Sequence, residues 1–166
     1  MTHDETDATK RLIERLASRG LTVAVAESLT GGALTAELTR PAGASAVVLG
    51  GVVVYATELK HSLVGVDAAL LAEHGPVHPE VARQLADRVR TRLAVDGRPA
   101  DIGIATTGVA GPDGQGGREP GTVFVGVAYG DTVETIELVL TGDREQVRAR
   151  TVAVAVSQVV ERFAPQ

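Results

Sequence analysis

The chain reads as a single three-layer α/β/α domain of 166 residues, with a mixed, mostly parallel sheet that closes in a C-terminal β-hairpin and a long helix. Three observations lead there. Apolar spacing runs in the order α-β-α-β-α-α-α-β-β-β-α, and helices interleaved with strands cover both faces of a sheet. The early strands are apolar throughout instead of alternating, as strands buried on both sides are. No linker, repeat or low-complexity tract divides the chain, and 44% hydrophobic with 22% charged residues is the balance of one globular unit. Its ordered core is expected over about residues 8–163.

The elements follow in order. Residues 8–19 carry Leu12, Ile13 and Leu16 on one face and stop at Gly20, a good residue just past a helix end. Residues 21–26 form a short apolar strand, and 32–40 a helix halted by Pro41. Residues 46–55 form a second apolar strand, in which Gly50-Gly51 marks a bulge, a bend or a close backbone approach. A short helix begins with Thr57 as its cap and carries Glu58, Lys60 and His61, and another spans 67–74 before Gly75. Pro79 at a first helical position is followed by the stripe Val81, Leu85, Val89 and Leu93. Residues 101–107 read as a strand. The segment 108–121 holds six glycines and two prolines, too many for a regular element. Two strands, 122–129 and 132–140, turn at Gly130-Asp131. Asp143 with Gln146 three residues on opens a last helix that buries Val152, Val156, Val159 and Phe163.

Composition removes several classes of function. A net charge of −5 and only 2% aromatic residues lack the basic surplus and stacking platforms that nucleic-acid binders use. With no cysteine there is no thiol nucleophile and no thiolate metal site. His3, His61, His74 and His78 show no metal-ligand spacing and read as surface or capping residues, so neither metal nor cofactor is expected. The polar, acidic start Met1-Thr2-His3-Asp4-Glu5 is unlike a signal peptide, and no apolar run reaches the ~18 residues of a membrane span, so the reading is cytoplasmic, with no membrane partner. Alanine- and valine-rich strands and helices suggest a homo-oligomer.

The chemistry concentrates at Ala26-Glu27-Ser28-Leu29-Thr30-Gly31-Gly32, between the first strand and the helix behind it. A serine at such a break has a hydroxyl beside backbone N–H groups suited to an oxyanion or phosphate. On spacing alone Ser28 is either a helix cap or a nucleophile, since the run is neither the Gly-x-Ser-x-Gly elbow nor a Walker loop. In an open sheet the cleft lies beyond the carboxyl ends of the strands, which gathers Ser28, Tyr55 with Lys60, and Thr107 with the glycine-rich loop.

Fourteen of the 16 basic residues are arginine, and only Lys10 and Lys60 are lysine. A lysine kept against that bias, just after an apolar strand, can lose its proton when desolvated, as arginine cannot. The other reading pairs Lys60 with Glu58 or Asp67 as a surface charge.

Taken together, the run 26–32, Gly51 to Lys60 with Gly65-Val66, Thr107-Gly108-Val109-Ala110-Gly111-Pro112-Asp113-Gly114, Pro120-Gly121-Thr122-Val123, and Gly142-Asp143-Arg144 with Arg148 resemble the C-terminal domain family of the competence/damage-inducible protein CinA. The same domain occurs alone as the bacterial nicotinamide-nucleotide amidase, and the likeness covers about residues 8–163. It implies hydrolysis of the carboxamide of nicotinamide mononucleotide, a small nucleotide substrate, to nicotinate mononucleotide and ammonia by a serine–lysine pair. Ser28 would be the nucleophile, Lys60 the general base, and Tyr55 a hydroxyl that orients or shuttles the proton. Backbone N–H groups around Thr30, Gly31 and Gly32 would hold the oxyanion. Thr107, Gly108 and Gly111 would approach the carboxamide or ribose, and Arg144 with Arg148, one turn apart, would hold the phosphate. Thr57 stands where the family commonly has asparagine. Larger members carry a domain resembling molybdopterin-binding proteins ahead of this one, and no activity of that domain is expected here. The alternative is an inactive nucleotide-binding or interaction module of the same family.

Overall fold

The structure is a computed structural model that describes residues 7–163, so His3 and the acidic start lie outside the described residues. The Asp7 carboxylate caps α1 (Ala8–Ser18) by accepting from the Lys10 N–H, and Leu12, Ile13 and Leu16 are buried as their spacing requires. β1 (Val23–Glu27) is buried at every position. It leads through a tight turn into α2 (Ala33–Thr39), and a 3-10 turn at Ala44–Ala46 precedes β2 (Val48–Val53). Of the bulge, bend or close backbone approach expected at Gly50-Gly51, the structure shows a bulge one residue earlier: Val23 pairs with Val48 and Ala24 with Gly50, leaving Leu49 as the extra residue.

The short helix α3 (Thr57–Leu59) corrects one expectation. Its N-cap is Ala56, without a side-chain cap bond, and Thr57 is the first helical residue. The chain then widens at once into a π-helical turn, Lys60–Val64, where Val66 N–H donates to Lys60 O. Such turns are rare, and they are frequently found at functional sites. α4 (Ala68–His74) is capped by Asp67, and α5 (Pro79–Arg92) by the His78 ring, whose Nδ1 accepts from Glu80 N–H. β3 (Ile102–Gly108), β4 (Thr122–Tyr129) and β5 (Thr132–Val139) complete the sheet. α6 (Arg144–Phe163) opens on the expected capping box, with Asp143 N–H donating to Gln146 Oε1 and Gln146 N–H to Asp143 Oδ1, both 2.9 Å.

The strand order is β2-β1-β3-β4-β5, with β1 parallel to β2 and β3, and β4 antiparallel to both its neighbours. Four strands thus share one direction and β4 alone opposes them. On one face α1, α2 and α6 bury Leu16, Leu34, Leu38 and Val159 against Val25, Ile104 and Val125. On the other, α4, α5 and the π turn pack Leu71, Leu85, Val89 and Val64 against Ala24, Ala26 and Ala105. The small residues on that face let α5 settle low. A Cβ on Gly103 would stand 1.8 Å from Ala86 O, so the α5 backbone rests directly on β3. Among the described residues no helix is long and apolar enough to cross a membrane.

Register decides where the chemistry collects. Glu27 pairs with Val53 on one side and with Thr106 on the other. Ser28 and Val54-Tyr55 therefore leave the sheet beside Thr107, near the end of β3, at the carboxyl ends of three parallel neighbours.

Candidate active site

Ser28 is held by its own backbone: its N–H donates to Thr106 O at 3.0 Å, extending the β1–β3 ladder one residue past the strand. Its side chain stands at the rim, 8% exposed, while Lys60 behind it is 1% exposed. The Lys60 Nζ lies 3.1 Å from Ser28 Oγ, 2.8 Å from Val54 O and 3.5 Å from Tyr55 O. No carboxylate forms an ion pair with Lys60 among the described residues, which sets aside its reading as a surface charge paired with Glu58 or Asp67. Burial pushes its pKa down from 10.5 to about 8, and the charge of Glu58 offsets part of that fall. A neutral lysine amine has two hydrogens and one lone pair. As an ammonium Lys60 donates to Ser28 Oγ; in the neutral form the two carbonyls can take the hydrogens, which leaves the lone pair for the serine hydroxyl. A neutral amine so placed can accept the proton of that hydroxyl.

The turn behind Ser28 is organised by Glu27, which is 0% exposed. Its carboxylate accepts from Gly32 N–H and Leu34 N–H at 3.0 Å, from Thr35 N–H at 2.7 Å and from the Thr35 hydroxyl at 2.6 Å. It thereby satisfies the first N–H groups of α2 from inside the core and fixes the helix against the strand end. Gly31 N–H donates to Ser28 O, closing the turn. Of the backbone donors expected to hold an oxyanion at residues 30–32, those of Gly31 and Gly32 are thus already engaged. The Thr30 side chain turns inward, with its hydroxyl 2.8 Å from that of Thr106.

A cleft of about 250 Å³ opens over Ser28 and Lys60. Its volume lies near the lower end of small-molecule sites. Leu29, Tyr55, Pro76, Val77 and Thr107 form its walls, the loop from Gly108 to Gln115 with Asp113 its roof, and Arg144 stands at its mouth. The Thr107 hydroxyl donates to Pro76 O at 2.7 Å. Tyr55 is 59% exposed, and its hydroxyl accepts from Arg144 Nη2 at 2.8 Å while Arg144 Nη1 donates to Gly111 O at 2.8 Å.

Seven of the residues singled out in the sequence therefore share one cleft: Ser28, Tyr55, Lys60, Thr107, Gly108, Gly111 and Arg144. Thr30, Gly31, Gly32 and Arg148 do not line it. Arg148, expected beside Arg144 on the phosphate, instead donates through Nε to Leu29 O and through Nη2 to Thr30 O, each at 3.0 Å. Sequence reasoning missed the anchoring by Glu27, although a carboxylate set directly before a turn into a helix is the available signal. It also missed Pro76 and Val77, which carry no chemical signature. Among the described residues no group of three or more His, Asp or Glu side chains is placed to hold a metal ion.

Comparison with known proteins adds the relatives. The model of the CinA C-terminal domain matches residues 5–163. A putative competence-damage inducible protein of Halalkalibacterium halodurans is 41% identical over 162 residues, covering 97% of this chain and 37% of its own length. One from Geobacillus kaustophilus is 47% identical over 150 residues, covering 90% and 35%. The chain thus spans about a third of the length of these curated relatives. Among solved structures, a CinA superfamily protein from Klebsiella pneumoniae superposes with a TM-score of 0.88 at 34% identity, over 96% of this chain and 98% of that one. A CinA superfamily protein from Enterobacter cloacae gives 0.88 at 30% identity, over 99% and 97%.

Proposed function

The chain belongs to the CinA C-terminal domain family, and from that premise we propose that it is an amidohydrolase that converts nicotinamide mononucleotide and water to nicotinate mononucleotide and ammonia. The observation that carries the reading is the buried Lys60 amine 3.1 Å from Ser28 Oγ, with no carboxylate paired to it among the described residues. Lys60 takes the hydroxyl proton as Ser28 Oγ attacks the carboxamide carbon, and the carbonyl oxygen becomes an oxyanion. The C–N bond then breaks as the Lys60 ammonium returns that proton to the leaving nitrogen, releasing ammonia and leaving a nicotinoyl ester on Ser28. Water, deprotonated by Lys60, attacks the ester carbon, and the Ser28 oxygen departs with the proton to restore the free enzyme.

The remaining roles follow from position. Among the described residues Arg144 is the only arginine lining the cleft, and it holds the phosphate of the nucleotide, using donors that Gly111 O and the Tyr55 hydroxyl do not take. Tyr55 sits beside that phosphate and orients it together with the ribose, instead of touching Ser28. Thr107, Gly108 and Gly111 form the wall on which the pyridine ring and ribose lie. Incubation of the protein with nicotinamide mononucleotide, with ammonia release measured by a coupled assay, tests the proposal. Binding of the nucleotide without ammonia would point to a module that has kept the pocket without turnover.

A further inference from the structure

We propose that Arg148 is a positioning residue that sets the oxyanion hole of this site, holding the turn in which the Leu29 N–H faces the reacting carbonyl. The inference rests on Ser28 as the nucleophile of the reading above but not on the identity of the substrate. From Ser28 to Gly32 there are five consecutive backbone donors. Ser28 N–H goes to Thr106 O, Gly31 N–H to Ser28 O and Gly32 N–H to Glu27 Oε2. The Leu29 and Thr30 N–H groups donate to nothing among the described residues.

Peptide geometry fixes where those two donors point, and of the two residues only Leu29 lines the cleft, Thr30 being fully buried. In a trans peptide the C=O and the following N–H face opposite ways. Arg148 grips Leu29 O from outside the cleft, so the Thr30 N–H in the same peptide points away from Arg148. Ser28 O is drawn into the turn by Gly31 N–H, so the Leu29 N–H in that peptide points out of the turn, where Leu29 and Ser28 line the cleft. The second grip, on Thr30 O, joins Ala33 N–H in holding the next peptide, which keeps Gly31 N–H on Ser28 O. Gly31 permits this approach. It lies at φ +59, and a Cβ there would reach within 3.4 Å of Arg148 Nη2.

A guanidinium suits the task because its planar fork meets two successive carbonyls at once, which an ammonium cannot reproduce. Its charge also lies at the oxygen end of the Leu29–Thr30 peptide. It adds positive potential at the turn, which favours negative charge developing beside Leu29.

The test is the rate at which a fluorophosphonate probe phosphonylates Ser28, followed by intact mass, because the phosphonyl oxygen occupies the oxyanion position whatever the natural substrate is. Arg148→Lys is compared with wild type and with Arg150→Ala, two residues along the same helix, where Arg150 reaches only Thr141 O. Labelling of Arg148→Lys at least tenfold slower than wild type, with Arg150→Ala within twofold, is the expected result. The same variant should lower kcat for nicotinamide mononucleotide by a similar factor while KM moves less than about threefold, since the loss falls on the transition state. The pH dependence of labelling should keep its rising limb, because Lys60 is untouched. Labelling of folded Arg148→Lys at the wild-type rate, a displaced limb, or a wild type that takes up no probe overturns the proposal. Wild-type labelling at Ser28 without ammonia from the nucleotide overturns the substrate assignment and leaves this one standing.

Discussion

If Lys60 works as a base, the rate must follow the fraction of its amine that is neutral. With a pKa of about 8 in the folded protein, about a tenth is neutral at pH 7 and about nine tenths at pH 9, so kcat should rise about tenfold between them. The same group makes a second, independent prediction through stability. Its folded pKa lies below its unfolded value, so between pH 8 and 10.5 the unfolded chain binds the extra proton and the folded protein gains stability as pH rises. The full gain is about 3 to 4 kcal/mol, at ~1.4 kcal/mol for each unit of the shift. Urea unfolding of wild type against Lys60→Met, across that range, isolates the effect from other titrating groups. Lys60→Arg keeps a positive charge with a pKa too high to accept the serine proton. It should fold and lose at least about a hundredfold in kcat, the low end of what a positioned base contributes. A pH-independent kcat from 7 to 9, or near-wild-type turnover in folded Lys60→Arg, would refute the serine–lysine assignment.

Three further outcomes follow. Ser28→Ala should abolish ammonia release while nucleotide binding by calorimetry changes little, and retained turnover would reduce Ser28 to a structural turn residue. Glu27→Gln offers one carbonyl oxygen where two oxygens accept four hydrogen bonds, so buried donors of α2 lose their partner at about 3 kcal/mol in urea melts, and a loss under about 1 kcal/mol would mean that water replaces the carboxylate. Gly103→Ala should destabilise by about 3 kcal/mol as α5 is lifted from β3, because the new methyl would meet Ala86 O at 1.8 Å. Thermal melts showing no loss would mean that α5 does not rest on that strand.

The features legible in the chain are those whose partners lie within a few residues. The Asp143–Gln146 capping box spans three positions, Pro79 sits at a helix start, and the stripes Leu12-Ile13-Leu16 and Val81-Leu85-Val89 are buried as their period demands. Ser28 was visible as a break between strand and helix, and Lys60 as a lysine in an arginine-rich chain. The cap at Thr57 failed because the chain enters that helix through Ala56 and turns at once into a π turn. A few residues of sequence do not separate those two starts.

Arg148 shows why the rest was not legible. An arginine one turn from Arg144 on an exposed-looking helix start has the same local pattern whether it meets a phosphate or a carbonyl, and its two acceptors lie 118 and 119 residues away. The local sequence determined the order of elements, their caps and the candidate chemistry at Ser28 and Lys60, because each depends on hydrogen bonds and apolar faces a turn or two long. Tertiary structure alone decided that Lys60 is desolvated, that Ser28 lies 3.1 Å from it across 32 residues of chain, and that Tyr55 meets Arg144 across 89. Those outcomes rest on the parallel register of β1 with β2 and β3 and on helices pressed against both faces of the sheet, and a buried group's partner and proton affinity are set by what surrounds it in space.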